Sequence, residues 1–263
     1  MKKSLKLKAV RRIAGIIVLM TVIGFSMACG GDEGTGGTGG TGGTGGSGGT
    51  GDGGDNNSGT DTLTLSGQVY EQEWNNTANG VPLTITYTAS NKSLELTDNL
   101  SCGSGKIQNG QLSYTLGKPD ASKINLSFND LFSNWGYSTI TVNQSDVKCN
   151  LFGLYSNNYG LVRESYTLNK TGNETTLSEK VAGYLYVDKA CNVKATGKTF
   201  TDEDGVNVTL PNIDIEMKKG WNTVIFNQFF TLDNTSGEMT KLGITSLSIG
   251  DDSSIKWVLQ EEH

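Results

Sequence analysis

From Asp61 onward the chain alternates, and that alternation restricts its fold more than any other feature. Thr62 to Tyr70 places apolar and polar residues in turn, as does Pro82 to Thr88. The same period recurs at 111–116, 137–142, 147–155, 161–168, 181–187 and 191–196, and again at 213–217, 221–230, 244–249 and 255–259. Successive side chains of a strand point to opposite faces, so period-two runs rich in Val, Ile, Thr and Tyr, broken by Gly, Asn and Asp, imply antiparallel strands. About a dozen strands exceed one flat sheet, and two packed sheets are the simplest way to bury their apolar faces. The expectation is an all-β fold, a two-sheet antiparallel β-sandwich or jelly roll.

One segment breaks the period. Phe128, Leu131, Phe132 and Trp135 recur at helical spacing, with Ser127 or Asn129 as a cap and Gly136 as a stop, which predicts one short helix. Ile213, Ile215 and Met217 alternate with Asp214 and Glu216, and Lys218-Lys219-Gly220 offers a turn. A hairpin returning through Trp221 is therefore expected, with Trp221 in the core. Residues 61–263 read as a single domain, and a division near 170–180 is the alternative, because Lys170-Thr171-Gly172-Asn173-Glu174 is the most loop-like stretch.

The N-terminus has another character. Lys2, Lys3, Lys6, Lys8, Arg11 and Arg12 precede an uncharged run from Ile13 to Ala28, IAGIIVLMTVIGFSMA, and then Cys29. A basic segment before an apolar stretch shorter than a bilayer span has the pattern of an export signal. The Ser26-Met27-Ala28-Cys29 junction resembles the lipobox of bacterial lipoproteins. Resemblance to that junction implies cleavage before Cys29 and acylation of its thiol, with chains such as palmitate. Two or more acyl chains hold durably to a membrane, at about 0.8 kcal/mol for each buried CH₂. Gly30, in the place of an Asp, points to the outer membrane. Residues 1–28 are thus expected as a signal peptide and Cys29 as a membrane anchor.

Residues 29–60 follow as a linker. Between Gly30 and Thr60, 17 of 31 residues are glycine, around a GGT repeat. Such a segment has no apolar surface to bury and much backbone entropy to lose, so it reads as a disordered tether. A Gly-rich coil of this length spans about 30 Å on average. A phosphate-binding loop would need a strand before it and a helix after it, and the sequence has neither.

Charge excludes one class of partner. Without the six basic residues of 1–28, 15 Lys and Arg face 27 acids, a formal −12. Nucleic acid demands a basic footprint, so it is not an expected partner, and direct docking on anionic lipid heads is disfavoured too. Cys102, Cys149 and Cys191 remain after Cys29, and three cannot all pair. Cys191 alternates with Val193 and Ala195 as a buried strand thiol. Cys102 and Cys149 are the preferred disulfide in an oxidising compartment.

Catalytic chemistry finds little purchase. The lone histidine is His263, which leaves a Ser or Cys nucleophile without a base, and His-based metal sites without a ligand. Glu71 and Glu73, which share a strand face, and Glu164, Glu179 and Glu216 are the carboxylates on offer for glycoside hydrolysis. Thr201-Asp202-Glu203-Asp204-Gly205 looks like half a calcium loop, but Phe200 and Pro211 fall where ligands belong, so it reads as a polar turn, as does Asp251-Asp252-Ser253-Ser254. Trp74, Trp135, Trp221 and Trp257 could form a sugar-stacking platform or pack in the core. No cofactor and no metal is expected.

Several phrases together carry a resemblance: RRIAGIIVLMTVIGFSMAC, the GTGG tether, GKIQNGQLSYTLGKP at 105–119, GYLYVDKACNVKATGKT at 183–199 and MKKGWNTVIFN at 217–227. They resemble lipoproteins of Treponema-type spirochaetes. The resemblance implies export and lipidation at Cys29, and it brings no catalytic motif. The expected function is that of a lipid-anchored cell-envelope lipoprotein, not an enzyme, with a β domain of structural or interaction type. The alternative is an adhesin-like surface module for a glycan or host ligand.

Overall fold

A computed structural model describes residues 60–261. The leader, Cys29, the glycine tether and His263 lie outside the described residues. In chain order the strands are β1 (Leu63–Asn76), β2 (Pro82–Ala89), β3 (Leu94–Glu95), β4 (Thr97–Asp98), β5 (Gly103–Gln108) and β6 (Gln111–Leu116). Helix α1 (Phe128–Asn134) precedes β7 (Ile140–Val142), β8 (Cys149–Phe152), β9 (Leu154–Ser156), β10 (Tyr159–Thr171) and β11 (Glu174–Val187). Then come β12 (Cys191–Ala195), β13 (Lys198–Thr201), β14 (Asn207–Leu210), β15 (Ile213–Met217), β16 (Gly220–Asp233), β17 (Met239–Ile249) and β18 (Lys256–Glu261).

The protein is mainly β, with two sheets and one α-helix among the described residues. The large sheet follows the order β13-β14-β17-β16-β11-β10-β18-β1-β6-β5-β3, and the small one is β15-β12-β7. Pairing is antiparallel except for β1 with β18 and β14 with β17, which run parallel. The loop-like stretch at 170–174 is the tip of the central hairpin, where Thr171 faces Glu174.

Three large interior clusters, and a small one of Ala182, Ile225 and Ile255, hold these layers. The small sheet and α1 bury Val193, Ile215, Met217 and Phe132 against Leu185, Val187 and Phe226 of the large sheet. The helix is fixed as its sequence predicts. Ser127 Oγ accepts from the Asp130 N–H at 3.1 Å, and the Asp130 carboxylate answers with a bond to the Ser127 hydroxyl at 2.6 Å. Gly136 turns away at φ +92°, a conformation in which a Cβ would clash. A second cluster packs β1, β5 and β6 against Tyr184, Tyr186, Trp221 and Trp257.

β1 serves two layers. Residues 63–68 pair with β6, and residues 70–76 pair with β2. Leu65 and Val69 enter the second cluster, whereas Trp74 packs with Ile85 and Tyr87 of β2 into a third, around Tyr166, Leu177, Phe230 and Leu232. The change of partners follows Gly67, whose φ of +139° suits glycine alone.

The expected hairpin at Gly220 does not form. β15 pairs with β12 in the small sheet, while β16 pairs with β11 and β17 in the large one. Lys218-Lys219-Gly220 therefore crosses between sheets. Asn222 clamps that crossing: its side chain accepts from the Lys218 N–H at 2.9 Å and donates to the Lys218 and Gly220 carbonyls. Trp221 is nonetheless buried, as its position in the alternation implied.

Candidate functional site

The group of residues richest in chemistry lies inside the third cluster. On β10, Glu164 and Tyr166 occupy the inward phase beside Leu168, and on β11 Glu179 occupies it beside Leu177. Strand register sets them in a row: Tyr166 stands across from Glu179, and Glu179 across from Gln228 of β16. Neighbours so placed have Cβ atoms close enough for direct side-chain bonds. Glu164 is 0 % exposed and Glu179 is 1 % exposed.

Donors converge on this pair. Tyr166 O–H donates to Glu179 Oε1 at 2.7 Å, and Gln228 Nε2 donates to Glu179 Oε2. Gln260 Nε2 donates to both Glu164 oxygens at 3.1 Å. The Tyr166 hydroxyl also lies 3.4 Å from Glu164 Oε2, so one phenol reaches both carboxyls. Ionised carboxylates are acceptors only, so the two groups could bond directly only through a proton. Each carboxyl has two neutral donors, Tyr166 and Gln228 at Glu179 and Gln260 and Tyr166 at Glu164. Burial pushes both carboxyls well above the ordinary glutamate value, and the Glu179 charge raises Glu164 further. Burial holds the Tyr166 phenol above its usual range as well.

The cation facing the pair is not bonded to it. Lys256 of β18 stands across from Glu164, but its Nζ lies over the rings of Tyr87 and Tyr70, at 4.7 and 5.7 Å from their centroids. Arg163, the preceding residue on β10, contacts Tyr184 and Asp251.

β1 and β2 roof this network. Trp74 meets Tyr166 edge to face at 5.1 Å, and its indole N–H donates to Gln72 Oε1 at 2.7 Å. Gln72 Nε2 in turn donates to the Tyr87 hydroxyl at 3.3 Å. That hydroxyl accepts the Tyr166 N–H at 3.1 Å, a backbone group just past the last β10–β18 pair. A donor that would be left unpaired beyond the ladder is thereby satisfied.

This geometry is unsuited to sugar hydrolysis. Retaining and inverting mechanisms set the two carboxyls about 5–9 Å apart around a bond open to substrate. Here both carboxyls lie against one phenol and are sealed in the interior. Two surface depressions lie elsewhere, one between the start of α1 and β7, the other beside Lys180 and Asp252.

The other expected site residues are dispersed. Glu71 accepts from Ser90 Oγ at 2.9 Å and pairs with Lys92 at 3.5 Å, while Glu73 and Glu216 are exposed. Asp202 Oδ1 accepts from the N–H groups of Asp204 and Val206, closing the β13–β14 turn. Asp252 pairs with Lys180 and caps the turn before β18. Among the described residues no group of three or more His, Cys, Asp and Glu side chains could hold a metal ion.

Of the four tryptophans, Trp221 and Trp257 are 7 % and 6 % exposed, and they donate to the Gly117 and Ser66 carbonyls at 3.0 and 3.2 Å. Trp135 packs between Phe132 and Phe226, its indole N–H buried without a partner. Trp74 is half-buried. They form no stacking row, since Trp135 packs on the first cluster, Trp221 and Trp257 lie in the second and Trp74 packs on the third.

The expected Cys102–Cys149 disulfide is corrected: all three described cysteines are free thiols. Cys102 packs at the edge of the second cluster, whereas Cys149 and Cys191 lie together in the first. The layers, not the loops flanking them in sequence, determine which thiols are near each other. Burial raises all three thiol pKa values, which makes them poor nucleophiles.

Comparison of the chain with family models, curated proteins and solved structures finds no match. Among the described residues no helix is long and apolar enough to cross a membrane.

Glu164 and Glu179 were visible in the sequence as separate acids, but their meeting was not. A signal was present: each interrupts the apolar phase of its strand, between Val162 and Leu168 and between Leu177 and Val181. A carboxylate in that phase must be buried, and a buried carboxylate needs a partner or a proton.

Proposed function

We propose that this chain is a lipid-anchored protein of the bacterial cell envelope, exported and held through Cys29, with a non-catalytic β domain of scaffold or interaction type. The observation that carries the domain's part of this reading is where its chemically capable groups lie. The carboxyl pair and two of the tryptophans are buried and bonded to interior partners, so they serve the packing of the fold rather than a substrate. The basic leader, the apolar run and the Ala28-Cys29 junction support the anchor and an outer-membrane destination. The glycine-rich tether suits a domain held off a membrane.

Mass spectrometry of the mature N-terminus tests the anchor, with diacylglyceryl-modified Cys29 as the expected first residue. Cys29→Ser should leave an uncleaved precursor or a released protein. An unmodified Cys29, or cleavage at another bond, overturns the reading. Retention on a glycan array that a surface-aromatic substitution such as Trp74→Ala abolishes would replace the scaffold with a binding module.

A further inference from the structure

The network at Glu164 and Glu179 does more than fill space, because its two sides are built differently. Beneath it, β11 is paired without interruption to β16 from Glu174 through Val187. Above it lies the arm formed by residues 70–76 of β1 together with β2. This arm touches the large sheet by few bonds. Residues 69–71 pair with β18, Tyr87 caps the Tyr166 N–H, and at the tip Asn79 Nδ2 donates to the Thr235 carbonyl at 2.7 Å. Beyond residue 71 the strand is paired to β2 alone.

We propose that Glu164 and Glu179 form a one-proton latch beneath the β1–β2 arm: the arm lies closed while the pair shares a proton and lifts when that proton is lost. This inference is independent of the anchoring proposed above. The closed state has a proton on Glu164 bonded to the Glu179 carboxylate, with Tyr166, Gln228 and Gln260 supplying the remaining donors. Loss of the proton to solvent leaves two anions in contact, each still desolvated. Two like charges in a site without water are strongly disfavoured.

The facing groups cannot neutralise them. From β10 and β2 come Tyr166 and Tyr87, which are neutral phenols; β1 supplies Tyr70, Gln72 and Trp74, and β16 supplies Gln228. From β18 comes Lys256, whose ammonium lies over the two tyrosine rings. Water must therefore enter. The arm is the way in, since opening it breaks a handful of bonds, whereas parting β11 from β16 breaks a continuous ladder. β1 changes partners between Gln68 and Tyr70, just past the positive-φ Gly67, and beyond residue 71, where its pairing to β18 ends, the arm can bend away.

The donor set also says which ion the site takes. Tyr166 O–H and the two glutamine amides aim hydrogens at the carboxyls. A metal ion needs lone pairs, so the site suits a proton.

Hydrogen exchange of the full mature chain across a pH series tests the latch, with rates corrected for the intrinsic pH dependence of amide exchange. Protection of residues 70–89 should fall at least about tenfold between about pH 5 and about pH 9, while β11 and β16 keep theirs. Glu164→Gln, which keeps a donor facing Glu179 and cannot ionise, should hold the arm closed throughout. Constant arm protection in the wild type, or an equal loss in Glu164→Gln, overturns the proposal. A measurement without substitution guards against a variant that fails to fold. Carboxyl signals of isotope-labelled glutamates in the wild type should include a pair titrating well above the rest, and ordinary titration of every glutamate overturns the latch equally.

Discussion

The two halves of β1 solve one packing problem in opposite ways. Residues 63–69 send Leu65 and Val69 into a dry cluster with Trp221, Trp257 and Tyr184. The two indoles there donate to backbone carbonyls that the fold fixes in place. Residues 70–76 cover a cluster whose centre is two acids, and there the bonds depend on one another. Tyr166 bonds Glu179 and reaches Glu164, Glu179 bonds Gln228, and Glu164 bonds Gln260. Burying apolar surface stabilises at about 25 cal/mol per Å² whatever the pH. A buried network is favourable only while each member keeps its partner and its charge state. One strand thus joins a region centred on apolar packing to a region centred on two buried acids.

The largest expected effect tests the dry half. Trp221→Ala should destabilise the domain by about 3–5 kcal/mol, read as a lower urea midpoint, and by the same amount in acid and in alkali. A loss that changed with pH would show that the two regions are coupled and break the comparison.

The next effect concerns the carboxyls. Both have folded-state pKa values raised above the ordinary 4.5, so the folded state binds protons that the unfolded chain has released. By linkage their contribution to stability is complete below about 4.5 and is lost as pH climbs through the raised values, the reverse of an ion-paired carboxylate. Glu164→Gln should therefore be close to neutral at about pH 5 and more stable than the wild type by roughly 1–3 kcal/mol at about pH 9. Melting curves at both values check it. A wild type whose stability rises over that range relative to the variant would reverse the sign and remove the pair from the argument.

The smallest effect isolates the arm. Asn79→Ala deletes the bond to the Thr235 carbonyl at the tip and should lower global stability by under about 1 kcal/mol. Amide exchange should rise within residues 70–89 and nowhere in β11 or β16. A rise spread evenly over both halves of β1 would mean the arm is not a separate opening unit.

The amino-acid sequence determined what is local. The inward and outward phases of most strands follow from alternation, and Cys191, Val193 and Ala195 are buried as their spacing implies. Ser127, Asp130 and Gly136 bound α1 because a cap needs a short acceptor and a stop needs a permissive backbone. Tertiary structure alone decided which strands are neighbours. Any two strands offer each other the same backbone bonds, so pairing is settled by the sum of packing around them. That is why Ile213–Met217 joined β12 and left Trp221's strand, and why Cys149 packs near Cys191 while Cys102 lies in another layer. It is also why Glu164 and Glu179, fifteen residues apart in sequence, meet at one phenol: the register of β10 on β11 sets Tyr166 opposite Glu179, and no period within either strand encodes that register.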